Sequence, residues 1–204
     1  MNGETSRAAR LALLTALVGL ALGGATLWLG LREGAVSFWG FGAACLLHVP
    51  PALNVRERIR EGLGNRGLER ERLTLKVVSH FLRLLALGLC LSALSALMGE
   101  RAPQASLATL SLAVLAVGFL VPLWLAKRGL AGVHPTVDLD AARTRSLLEG
   151  AVLLLVGSLL GHWFSWADAA TGLALALHLF FEGRTLAKGT TLTVACGGCG
   201  SGCH

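Results

Sequence analysis

The sequence predicts an all-α, polytopic membrane protein with six transmembrane helices and both termini in the cytoplasm. Three observations carry that reading. Six apolar stretches fill about residues 11–30, 35–54, 76–98, 106–126, 146–165 and 168–187 of the 204. At about 1.5 Å of rise per residue, each reaches or approaches the ~30 Å of hydrocarbon that a spanning helix crosses. The runs are unbroken, unlike the alternating strands of about ten residues in a membrane barrel, so helices must satisfy the backbone in lipid. Finally, the chain is 54% apolar and 15% charged, with the charges gathered between the stretches, whereas about a quarter of a soluble chain is charged.

The basic residues orient the bundle. Of 18 lysines and arginines, fifteen fall in the N-terminal tail, the second and fourth connections and the C-terminal tail. The opposite side holds Arg32 and Arg101, and Arg83 lies within the third span. The positive-inside rule therefore predicts cytoplasmic termini and a multi-pass protein of an inner (plasma) membrane. The net charge of +6 follows from inner-face arginines meeting anionic lipid, so nucleic acid is not an expected partner. Residues 1–188 form the transmembrane domain, and 189–204 a Gly/Cys-rich cytoplasmic tail.

Each element has a local reason. The first span follows Arg7 and Arg10, yet its apolar run is too long for a signal-peptide core and five more spans follow. Gly19, Gly23 and Gly24 in this span, with Gly40 and Gly42 in the second, predict close helix packing. Leu31 to Gly34 is a tight outer turn. Pro50 and Pro51 predict a kink or an end to the second helix, and Pro122 a bend in the fourth. Residues 56–76 alternate acid and base around Gly62, Gly64 and Gly67, which reads as a solvated loop between helical continuations. Gly99 to Gln104, with Pro103, forms a second outer turn. His162 to Trp166 is a third, its tryptophans suited to the headgroup layer.

Ionisable groups inside a span cost about 2.5–3.5 kcal/mol each at the centre, so each needs a reason. Arg83, near His80 in the third span, can reach the interface by its long stem. His48 lies deep in the second span, one turn after Ala44; it is either bonded to a neighbouring helix or a metal or proton group. Glu149 follows Arg145 by four residues, which fits a local ion pair or a cation ligand in a cavity. His178 and Glu182 share one face of the sixth span and suit a buried hydrogen bond or a polar path. Cys45 and Cys90 are lone thiols within spans, ordinarily packing residues. Cys196, Cys199, Cys203 and His204 crowd a glycine-rich tail where disulfides rarely persist. Three thiolates and an imidazole suit Zn²⁺, Cd²⁺ or Cu⁺. No nucleophile, base and orienting partner can be read together, so no catalytic residues are assigned. A Cys196/Cys199 dithiol is the one redox candidate.

The chain resembles the cation diffusion facilitator family in two stretches. Gly34-Ala-Val-Ser-Phe-Trp-Gly-Phe-Gly-Ala-Ala-Cys-Leu-Leu-His48 is similar to its first outer turn and second helix. Trp166-Ala-Asp168, with the following Ala-Ala-Thr-Gly-Leu-Ala-Leu-Ala-Leu and Gly183-Arg184, is similar to the entry and body of its sixth. Span order and the basic second and fourth connections agree across about 180 residues. The resemblance implies a six-helix exporter of divalent metals that works as a homodimer. It places the second-helix ligand pair on Ala44 and His48. The fifth-helix pair falls near Ala142 or Arg143 and Ser146 or Leu147, with Glu149 the nearest acid. The cysteine tail stands where the family's cytoplasmic domain usually follows. The expected function is proton-coupled efflux of divalent or soft metal cations, zinc foremost, by alternating access. His48, Cys45 and Glu149 would form the transport site, and the tail would capture the ion. The alternative is a non-transporting membrane metal sensor or docking protein with a decayed site.

Overall fold

The structure, a computed structural model, describes residues 3–61, 67–99, 106–130, 132 and 135–196, excepting the side chains of 189–196. Six helices account for nearly all of it: α1 (Gly3–Glu33), α2 (Val36–Arg60), α3 (Leu68–Met98), α4 (Leu107–Arg128), α5 (Pro135–Leu160) and α6 (Ala167–Cys196). No strand occurs among the described residues. The helices α1 to α4 are long and apolar enough to cross a membrane. Helices α5 and α6 are as long but carry Arg143, Arg145 and Glu149, and His178, Glu182 and Arg184, within their apolar stretches. Of these, Arg143, His178 and Glu182 belong to an internal seam described below, whereas Arg145, Glu149 and Arg184 are exposed.

Helix α2 is the centre of the bundle. It packs on α1, α3, α5 and α6, while α3 pairs with α6 and α4 with α5. Two thirds of its apolar window (67%) is enclosed, against 22% for α3. Its small residues allow this. A Cβ on Gly42 would lie 2.8 Å from the Gly23 carbonyl oxygen and 2.5 Å from the Leu27 nitrogen, so α1 and α2 meet backbone to backbone. Gly40 admits Leu89 of α3. Gly24, expected at the same seam, has no neighbour within 4 Å and takes no part in it. Phe41, Leu82, Leu89, Leu154 and Leu175 fill the common core.

Helix ends are fixed by long-range partners. Ala35 provides no side-chain cap for α2; Asp168 of α6 does so instead. Its carboxylate accepts from the Val36 N–H at 2.7 Å, the Ser37 N–H at 3.2 Å and the Ser37 hydroxyl at 2.5 Å. Ser106 and Thr109 form a capping box at the start of α4, and the Ser106 hydroxyl also reaches Glu33 at the end of α1. Pro135 opens α5, where its missing N–H costs no helical bond.

The prolines do not end their helices. Helix α2 continues through Pro50 and Pro51 to Arg60, and α4 through Pro122 to Arg128. An interior proline costs about 3 kcal/mol, which packing outweighs here: Val55 and Ile59, beyond the pair, are buried with Ala8, Ala12, Leu130 and Val137. The outer surface is apolar, with Leu17, Leu84, Leu87, Leu91, Leu115 and Phe119 exposed. Arg32 stacks on Trp28 at 5.3 Å and Arg128 on Trp124 at 5.5 Å, near opposite ends of the bundle. Trp163 and Trp166 are exposed in the turn before α6, the amphipathic placement of an interfacial belt. The loop 62–66, the turn 100–105 and the tail residues Cys199, Cys203 and His204 lie outside the described residues, as does the side chain of Cys196.

Candidate functional site

The site begins with His48, 4% exposed on the most enclosed helix. Its Nδ1 lies 2.7 Å from the Ala44 carbonyl oxygen, one turn back. A carbonyl only accepts, so Nδ1 carries a hydrogen and donates it. Its Nε2 lies 2.8 Å from Oε1 of Glu182 on α6, whose side chain is 8% exposed. One proton bridges that contact: the pair is an imidazolium with a carboxylate, or an imidazole with a carboxylic acid. Either way it is neutral overall. Cys45, also buried, is within electrostatic reach of the same carboxylate.

From Glu182 a polar chain runs outward across α5 and α6. Ser146 is an electrostatic neighbour of the Glu182 carboxylate, and both line the same cavity. Nε2 of His178 lies 3.0 Å from the Ser146 hydroxyl and 3.1 Å from its carbonyl oxygen. Nδ1 of His178 faces Oε2 of Glu149 at 3.9 Å, and Oε1 of Glu149 accepts from Arg145 Nε at 2.8 Å. These groups share a cavity of about 300 Å³ between α5 and α6, lined also by Arg143 and Phe181. A buried proton-holding pair is thereby joined, group by group, to a half-exposed carboxylate.

A second buried cluster lies at the ends of the helices richer in basic residues, called the inner ends here. Arg58 of α2 pairs with Glu71 of α3 and donates to the Thr136 hydroxyl of α5 at 2.8 Å. Lys127 of α4 pairs with Asp140 of α5 at 2.5 Å and donates to Thr144 at 2.9 Å. Arg143 stands between the two clusters, 3.9 Å from Glu71 and within electrostatic reach of Asp140 and Glu182. Its three guanidinium nitrogens are buried and make no hydrogen bond among the described residues. With Glu182 assigned to His48, three cations here face two carboxylates.

The structure sorts the expected site residues. His48 and Cys45 lie in the core on one helix. Glu149 is not their companion: it is turned to Arg145 with its side chain 47% exposed, and Glu182 is the acid at His48. His178 and Glu182 lie on one polar path, linked through Ser146. Among the described residues no group of three or more His, Cys, Asp or Glu side chains is placed to hold a metal ion. Glu71, expected in a solvated loop, is buried and its partner Arg58 is largely covered, because α2 and α3 continue about two turns past their apolar runs and stay packed. Sequence reasoning missed Asp140, Thr144 and the role of Arg143. The signal was present: Thr136, Asp140, Arg143 and Thr144 continue the buried face of Leu147, Ala151 and Leu154 at helical spacing. No protein-family model and no curated protein matches the chain.

Proposed function

We propose that the chain is a divergent membrane transporter of divalent or soft metal cations, a distant relative of the cation diffusion facilitators working by proton exchange. The observation that carries the reading is the buried His48–Glu182 pair, which holds one proton beside the α5–α6 cavity. A cation can bind Nε2 and the carboxylate only if that proton leaves, so loading the site expels a proton and unloading it recovers one. Cys45, three residues before His48, offers a thiol that biases such a site towards softer ions. All six helices cross the membrane in this reading, with His48, Arg143 and Glu182 enclosed between helices and the exposed Arg145 and Glu149 paired with each other. Cytoplasmic termini follow from the arginine asymmetry, and a homodimer follows from the resemblance. The Cys196, Cys199, Cys203 and His204 tail captures the ion at the inner mouth. The likeness aligned Ala44 and His48 with ligand positions in the second helix, and both belong to this polar seam; of its two fifth-helix registers, one brings in Ser146 and the other Arg143.

The test is flux in liposomes carrying an ion-sensitive and a pH-sensitive dye, with Zn²⁺, Cd²⁺, Co²⁺, Ni²⁺ and Cu⁺ offered in turn. The expected result is movement of at least one ion with a countervailing proton signal, both lost in Glu182→Gln. Wild-type protein that moves none of the five ends the proposal. A second reading is favoured by Arg143, whose buried positive charge opposes a divalent cation near Glu182. In it the core site has decayed and the tail serves a membrane metal sensor or docking protein. That reading expects metal binding by the tail, no flux, and no effect of His48→Ala.

A further inference from the structure

Away from the polar seam, on the surface between α3 and α6, lies a groove of about 750 Å³. Leu84, Leu87 and Cys90 of α3 and Leu173, Leu177 and Phe180 of α6 form its apolar walls. His80 and Arg83 stand at one end, the inner end by the basic-residue asymmetry. Below them the helices close up: a Cβ on Gly183 would come within 2.9 Å of the Ser79 carbonyl oxygen.

Arg83 is poorly served by the protein. It donates to the Gly183 carbonyl oxygen at 3.4 Å, beyond the usual range of 2.7–3.2 Å. Its buried Nε makes no hydrogen bond, and no carboxylate pairs with it among the described residues. It stands seven residues, about 10 Å of helix, beyond Lys76, on a helix whose exposed face is already apolar at Val77, Phe81 and Leu84. A charge at that depth is costly, and an anion at the headgroup layer that its long stem reaches lowers the cost. Nδ1 of His80 donates to the Lys76 carbonyl oxygen at 2.7 Å, which leaves Nε2 for an external partner. Lys76 and Arg184, both exposed, add positive charge at the same end.

We infer that this groove binds one anionic phospholipid of the inner leaflet, its acyl chain lying along the apolar walls and its phosphate drawn in to Arg83 and His80. The inference rests on the membrane reading but not on metal transport. An apolar slot ended by an unpaired guanidinium matches both halves of such a lipid, and neighbouring basic residues favour anionic headgroups over zwitterionic ones. A second copy packed groove to groove would cover the apolar walls but bring another Arg83 and His80 in place of an anion.

The test is native mass spectrometry of full-length protein released from mixed phosphatidylglycerol and phosphatidylcholine bilayers. Wild type is expected to retain about one phosphatidylglycerol per chain with about tenfold preference. Arg83→Gln should abolish the preference, Arg83→Lys should restore most of it, and Arg128→Gln, on α4 away from the groove, should leave it intact. Helical content by circular dichroism guards against misfolding. The site is overturned if wild type shows no preference, if Arg83→Gln keeps it, or if Arg83→Lys loses it as fully as Arg83→Gln. It is also overturned if a chain carrying Cys90 as its sole cysteine crosslinks efficiently to a second copy in membranes, since the groove then houses protein.

Discussion

At the inner ends of α2 to α5 the buried charges are tied acid to base, Arg58 to Glu71 and Lys127 to Asp140. About 15 Å further along α2, His48 and Glu182 share a single proton beside an open cavity. Both regions bury ionisable groups between helices, yet only the second can change its charge without coming apart. The first joins permanent cations to carboxylates and to threonine hydroxyls, and its chemistry is complete within the protein. In the proposed mechanism the second exchanges its proton by way of Ser146 and His178, whose Nδ1 stands 3.9 Å from Glu149. Buried charge alone therefore does not single out the candidate site; a pair sharing one proton beside a cavity does.

The contrast breaks most sharply at Asp140. Asp140→Ala leaves Lys127 buried without its carboxylate and should cost about 3–5 kcal/mol of stability, measured by unfolding in mixed micelles. Adding Lys127→Met to Asp140→Leu should recover most of that loss, as expected of a structural clamp. Glu182→Gln should do the reverse. It costs about 1.5–3 kcal/mol as a charged hydrogen bond weakens, yet reduces proton-coupled ion flux by more than about tenfold, a change no apolar double replacement with His48 restores. Arg143→Met removes the excess cation between the clusters and should tighten Cd²⁺ binding at the core by about tenfold, read by calorimetry with Cys196, Cys199 and Cys203 replaced by serine. The smallest effect belongs to Glu149→Gln. Its exposed pair with Arg145 is worth less than about 1 kcal/mol, and flux should change less than about threefold.

Much of the fold was legible because lipid-length apolar runs leave few choices. Each expected span overlaps an observed helix, and the glycines of α1 and α2 do mark a close seam, Gly24 excepted. His48 stood out because an imidazole in an apolar run needs a partner. The partner was not legible: Glu182 lies 134 residues away, and Glu149 was chosen for its place near the aligned fifth-helix ligands, a local criterion that says nothing about which helix faces which. The inner clamp was hidden differently. Alternating acid and base around glycines suggests solvent, and only the packed extension of α2 and α3 puts Arg58 and Glu71 inside. Of the two outcomes expected at Pro50 and Pro51, a kink or an end, the end does not occur, because the burial of Val55 and Ile59 holds the helix together beyond the pair.

The bare contact of Gly42 with Gly23 and Leu27 has a mechanical consequence. Where Gly42 meets Gly23 and Leu27 the backbones touch directly, with the Leu46 side chain packed against Gly23, so in the transport reading α1 and α2 move as a single lever with His48 on its inner half. In that reading the contacts traded as the two mouths open in turn are His48 with Glu182 and His178 with Ser146. The hairpin then serves as the rigid arm, and the polar seam as its joint.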